Sequence, residues 1–280
     1  MLSITTDYVK DVGCPEPYLK CIAEAGFSHV HWCHHWRTDF VYSDCEIEQI
    51  ARWLQDFGLK LNDLHASAGV EKAWVSSLEY ERLAGVELVK NRISMTARLA
   101  SDVIVMHIPS EPEDAGGKNV FWTQVLKSLD AIEPYARDHG VRIAIENLGP
   151  GSFKTTERIL SQYSPDYIGL CYDSGHGNLD ICSDGLDQLE RLKERLISMH
   201  LNDNDGTGDQ HNPLFSGTVE WARLARIVAE SSYAKCINME ITIHHSGIED
   251  ESAFLEKAFE TGMAFSHMVD ESVGVERGEQ

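Results

Sequence analysis

RIAIEN at residues 142–147, IGLCYDSGH at 168–176 and LISMHLND at 196–203 share one form: a short apolar run that closes on a residue able to bind a metal, Glu146, Asp173 and His200 in turn. Three further runs repeat it: LKLNDLHAS (59–67) with His65, VIVMHIP (103–109) with His107, and CINMEIT (236–242) with Glu240. One polar residue closing a strand says little. Six in series converge on one point if the strands form a closed parallel sheet, because the carboxyl ends of such a barrel ring a common mouth. A shared divalent metal is the simplest cause.

Outward from these runs, strand-length apolar segments alternate with longer segments of helical period, the pattern of βα units around a parallel sheet. Eight strands are expected near 2–5, 28–33, 59–64, 103–108, 141–146, 167–172, 196–201 and 236–241. The expected fold is α/β, a single (β/α)8 TIM barrel over residues 1–267, with 268–280 as a polar C-terminal tail. At 280 residues and 42% hydrophobic the chain suits that barrel, which needs about 250 residues. The helix over 79–99 carries Leu83, Val86, Val89 or Lys90, Ile93 and Ala97 as a stripe facing the barrel. In GFSHVHW, FGLKLND and HGVRIAI a helix ends at glycine just before the next strand, as short αβ turns require. The loops leaving the strands are longer, above all LNDNDGTGDQHNPLFSGT after His200, so irregular chain gathers where the donors gather. GTVEW reads as a helix start with Thr218 as N-cap.

Lys and Arg number 24 against 45 Asp and Glu, a net charge of -21. This is first a solvated surface, and second an argument against nucleic-acid backbones and anionic membranes as partners. Seven cysteines with no CxxC spacing fit a reducing compartment. The start MLSITTDYVK has no basic-then-apolar leader, and no stretch nears the roughly 18 apolar residues of a membrane span. The expected location is cytoplasmic. No GxSxG elbow or P-loop occurs, and GPGS at 149–152 reads as a tight turn.

Glu146, Asp173, His200 and Glu240 end four consecutive strands, so one ion can be reached by three carboxylates and one imidazole. That oxygen-rich set suits Mn²⁺, Mg²⁺ or Co²⁺ and admits Zn²⁺. Open positions for two substrate oxygens are what carbonyl chemistry on polyols needs: the metal acidifies a C–H, and a carboxylate on each face removes and returns the proton.

The motifs ENLGPG, YDSGHGN, HLNDNDGTGDQH followed by SGTVEW, and the late MEIT resemble the sugar phosphate isomerase/epimerase group of the xylose-isomerase-like barrels, whose relatives include ketose 3-epimerases, inosose isomerases and dehydratases, and endonuclease IV. The resemblance runs from ITTDY to the last helix. It implies Glu146, Asp173, His200 and Glu240 as metal ligands, Glu146 and Glu240 also as the proton-transfer pair, and His176 as a contact to a substrate oxygen. The implied activity is isomerisation or epimerisation of a sugar, keto-polyol or related hydroxy-carbonyl compound. The group's ketose epimerases place an Arg shortly after the strand-seven histidine, whereas this chain has none between Arg195 and Arg223. A lyase or dehydratase is a neighbouring outcome, since the same enediolate can expel a β-hydroxyl. The resemblance to endonuclease IV implies a three-zinc phosphodiesterase, with His65, His107, Glu146, Asp173, His176, His200, Asp209, His211 and Glu240 at the nine ligand positions. The mouth loops lack the basic and aromatic clusters that grip DNA. A silent sugar-binding barrel is the non-enzymatic alternative.

His65 and His107 read equally as polar strand ends bonded to backbone. Trp32, His34, His35 and Trp36 in HVHWCHHWRTDF are candidates for a wall against a sugar ring, or for packing under a loop. Arg37, Lys118 and Lys154 are the cations nearest the expected mouth. A homodimer is compatible with such a barrel.

Overall fold

Strands buried on both faces need near-continuous apolar runs, and the Ile-, Val- and Leu-rich segments meet that need. The computed structural model describes residues 1–149, 151–179 and 185–278. The strands are β1 (Leu2–Thr5), β2 (His29–Trp32), β3 (Lys60–His65), β4 (Val103–Met106), β5 (Arg142–Glu146), β6 (Ile168–Asp173), β7 (Leu196–His200) and β8 (Ile237–Met239). They form one sheet in the order β7-β6-β5-β4-β3-β2-β1-β8. Its ends meet where Leu201 N–H donates to Asn238 O at 2.9 Å and Glu240 N–H donates to Leu201 O at 3.0 Å. The seam of the barrel is therefore stitched beside Glu240.

The helices are α1 (Glu16–Glu24), α2 (Asp44–Phe57), α3 (Glu79–Arg98), α4 (Ala115–Asp138), α5 (Ser152–Gln162), α6 (Ser174–Asn178), α7 (Gly185–Leu192), α8 (Trp221–Ala229) and α9 (Glu251–Gly278). Gly26, Gly58 and Gly140 take the expected turn positions at φ of +99°, +71° and +65°, where a Cβ would be strained. Val103, Val105, Ala144, Cys171 and Ile197 form a small apolar cluster of their own inside the barrel, while the larger core lies between strands and helices. Because strand side chains alternate, His107, Glu146 and Asp173, each two residues beyond a member of that inner cluster, face the same way.

Three expectations change. On α3, Val86, Val89 and Ile93 are buried, but Leu83 is 50% exposed and its neighbour Arg82 is buried instead. Arg82 bonds Ser128 Oγ and Glu79, at 2.9 and 2.8 Å, and those partners make its burial tolerable. Thr218 does not cap α8: its hydroxyl donates to Asn204 O, and the helix begins at Trp221. From 268 the chain continues α9 to Gly278 rather than leaving as a tail, with Met268 and Val269 packed against the core.

Candidate metal and active site

His65, Glu146, Asp173 and His200 are the last residues of β3, β5, β6 and β7, and His107 and Glu240 follow β4 and β8 by one residue. Glu146, Asp173, His200 and Glu240 are all buried and offer donor atoms within 4.8 Å of one another. His200 Nδ1 lies 3.1 Å from Glu146 Oε2 and 2.8 Å from Glu240 Oε2, so the imidazole sits between the two carboxylates. Asp173 caps α6 by accepting from His176 N–H at 2.6 Å, and its other oxygen accepts from Asn202 Nδ2 at 2.8 Å.

The remaining candidates crowd the same centre. His107 Nε2 lies 3.0 Å from Glu146 Oε2 and 3.1 Å from His65 Nε2, and these three residues form a second donor group within 4.8 Å. The ring of His65 donates from Nδ1 to Ala66 O at 2.9 Å, which leaves its Nε2 lone pair for the site. His176 Nδ1 is 3.3 Å from Glu146 Oε1, and its Nε2 is 3.3 Å from Asp209 Oδ2. Asp209 Oδ1 in turn lies 3.1 Å from His211 Nε2, while His211 Nδ1 donates to Glu240 O at 2.8 Å. All nine residues are linked through short contacts.

The aromatic wall divides. Trp36 stands over the site, its ring 4.3 Å from His65 and 5.1 Å from His107, with Arg37 stacked 4.5 Å from it on the indole. Trp32 belongs to the other face of β2: its Nε1 donates to Tyr42 OH at 3.0 Å. With His34 and His35 it lines a separate cavity of about 200 Å³ against Trp53 of α2. Strand alternation is the reason, since the neighbouring His31 points into the barrel.

The charge balance describes a place made for a cation. Burial and the adjacent Glu146 and Glu240 raise the Asp173 carboxyl to about 6 against the pull of His176. Burial opposes charge on His200 and His211, yet acidic neighbours outweigh it. His200 stands well above the ordinary histidine value beside Cys171, Glu240 and Glu146, and His211 rises to about 10 against Asp209 and Glu240. Burial would also raise Glu146 and Glu240, but the facing histidines hold both below the usual carboxylate range. Glu146 Oε1 and His200 Nδ1 are nevertheless buried without a hydrogen bond of acceptable geometry, as donors turned toward an ion would be. The four-residue set therefore fits a divalent cation.

Beyond Glu146 opens a cavity of about 420 Å³ between the β4–α4 and β5–α5 loops, lined also by Glu111, Trp122, Lys154 and Arg158. Lys154 thus faces it as expected, while Lys118 pairs with Glu111 at 3.1 Å and Arg37 lies on Trp36. Arg158, 3.8 Å over the Trp122 ring, escaped the sequence reading because it lies on the second turn of α5, not on a loop. His31, Asp63 and Ser198 also escaped it. They lie inside strands, where the only signal is a polar residue on the inward parity.

A profile described as the xylose isomerase-like TIM barrel matches residues 19–258. The chain belongs to this family. Among family relatives, the uncharacterized protein y4fM of Sinorhizobium fredii is 30% identical over 276 residues, covering 90% of this chain and 88% of that one. The barrel also superposes on a D-tagatose 3-epimerase-like protein (TM-score 0.76, 18% identity, 97% of this chain and 99% of the other). Similar matches are L-ribulose 3-epimerase (TM-score 0.77, 14% identity, 97% and 95%) and 3-keto-D-glucoside 4-epimerase from E. coli (TM-score 0.71, 16% identity, 94% and 98%). At these identities the likeness carries the xylose isomerase-like fold. Among the described residues no helix is long and apolar enough to cross a membrane.

Proposed function

We propose that the chain is a divalent-metal-dependent isomerase or epimerase of a sugar, keto-polyol or related hydroxy-carbonyl compound. The observation that carries this reading is the pair of buried carboxylates, Glu146 and Glu240, on either side of His200 within one group of four donors. Glu146, Asp173, His200 and Glu240 would hold the ion, which when bound supplies Lewis acidity to two adjacent substrate oxygens. Glu146 and Glu240 take the substrate proton from one face and return it on the other; against burial, the facing histidines hold both carboxyls below the usual carboxylate range, which suits a base. His176, tied to Asp209, orients a substrate hydroxyl, and Trp36 with His65 and His107 shields that side from water. The epimerase activities named for several structural neighbours agree with this chemistry. Lys154 and Arg158 are placed to meet an anionic end of the substrate. The absence of an Arg between Arg195 and Arg223 separates the chain from the ketose epimerase pattern, so the substrate class is kept broad. Incubating the Mn²⁺-loaded protein with a panel of ketoses and keto-polyols in deuterated water tests the proposal. Deuterium at a carbon next to the carbonyl supports it, expulsion of a β-hydroxyl assigns the lyase outcome, and binding without exchange leaves a sugar-binding barrel.

A multi-zinc phosphodiesterase is a second reading. It is favoured by the His65–His107–Glu146 donor group and by the contacts of Asp209 with His176 and His211. The net charge of -21 opposes a polyanionic substrate. Zinc content together with cleavage of an abasic oligonucleotide decides between the two.

A further inference from the structure

Below the four-donor group, His31 of β2 makes a contact that its neighbours do not require. Its Nδ1 donates to Asp63 Oδ1 at 2.6 Å, and Asp63 also accepts from the Ser198 hydroxyl. The ring and the carboxylate are both fully buried, with His31 and Asp63 at 0% exposure. A carboxylate on one ring nitrogen fixes the tautomer and leaves a basic lone pair on the other, the arrangement found behind metal-binding histidines. That other atom, His31 Nε2, is buried with no hydrogen-bond partner among the described residues. An apolar core would not leave such a nitrogen orphaned without cost.

Two more donors converge on it. His31, Cys33 and Glu240 offer ligand atoms within 4.8 Å of one another, all three buried. Glu240 faces both ways: its Oε2 lies against His200 at 2.8 Å, whereas its Oε1 lies 3.9 Å from Cys33 Sγ. The rings of His31 and His200 pack directly against one another, with centroids 4.4 Å apart. Asp7, on the loop after β1, lies close enough to interact with both Cys33 and Glu240, and burial together with Glu240 raises its carboxyl.

We propose that His31 Nε2, Cys33 Sγ and Glu240 Oε1 form a second metal site, with Glu240 bridging it to the first. The imidazole, thiolate and carboxylate set selects a borderline-soft ion such as Zn²⁺ or Co²⁺ over Mg²⁺. Binding forms the sulfur–metal bond and releases the thiol proton to water; no electrons are transferred. The inference rests on Glu240 lying at the metal centre proposed above. Cys171, which shares a donor group with Glu146 and His200, is the competing thiol, but both of those partners already belong to the first site.

The test is titration of the chelator-stripped protein with Co²⁺, following the near-ultraviolet band that only thiolate-to-cobalt charge transfer produces, alongside bound cobalt per chain. The expected result is a thiolate band in the wild-type protein and in Cys171→Ser, its loss in Cys33→Ser, and an affinity for the band-forming ion weakened about 10–100-fold in Asp63→Asn. Cobalt bound without the band overturns the second site while leaving the first intact. A band that survives in Cys33→Ser and disappears in Cys171→Ser also overturns it. Failure to bind cobalt at all overturns both sites. The wild-type spectrum needs no variant, so a poorly folding substitution does not shield the proposal.

Discussion

Glu240 meets several groups at once: its carboxylate contacts His200 and lies near Cys33, while its main-chain oxygen accepts from His211. Replacing it with Gln keeps the shape and removes the base. Glu240→Gln should lower turnover by at least about 10²–10⁴-fold with the protein still soluble, and an active variant would remove Glu240 from the mechanism. Proton linkage gives a second prediction. Asp173, raised to about 6, takes up a proton below that pH, and His200, held well above the ordinary histidine value, carries one that a metal must displace. Mn²⁺ affinity should therefore weaken as pH falls through 6 and strengthen above it, with protons released on binding. Calorimetric titration in buffers of different ionisation enthalpy checks this, and a pH-independent affinity contradicts it.

Single residues reach these positions because short elements aim them. At the end of β6 the chain turns directly into α6, and Gly175 permits the turn: a Cβ there would overlap the side-chain oxygen of Asn202, whose amide holds Asp173. Gly175→Ala should weaken Mn²⁺ binding about 10-fold or more through this displaced support while leaving the circular dichroism spectrum unchanged. By contrast, Asp114 accepts from Gly117 N–H at 2.8 Å to cap α4 on the exposed side, and Asp114→Ala should cost about 1 kcal/mol in chemical denaturation without altering metal affinity. Elements were the most legible level of the sequence. Each expected strand lies within a few residues of an observed one, and the glycine turns fall where they were read, because period and backbone sterics act locally. The face of α3 was less legible: periodicity favours Leu83, but Arg82 is covered once Ser128 of α4 meets its guanidinium.

For the whole molecule, the barrel gathers several carboxylates into a buried centre whose mutual repulsion only a cation fully relieves. Removing metal with a chelator should lower the melting temperature by several degrees. Restoring Mn²⁺ at about 100 times its Kd should return about 2.7 kcal/mol, and an unchanged melting temperature would show that the cluster holds no ion in solution. The overall charge of -21 should also leave the protein without measurable affinity for duplex DNA at physiological salt. The chain alone determined the eight-unit barrel and the six strand-end donors, because both depend on alternation and on where apolar runs stop. Tertiary structure decided what lies around them. It sent Trp32 to the outer layer and Trp36 to the mouth, brought Arg158 to the cavity, and set His31 on Asp63 beneath Glu240. Those pairings join residues distant in sequence across neighbouring strands and loops, and their register is set only when the sheet closes.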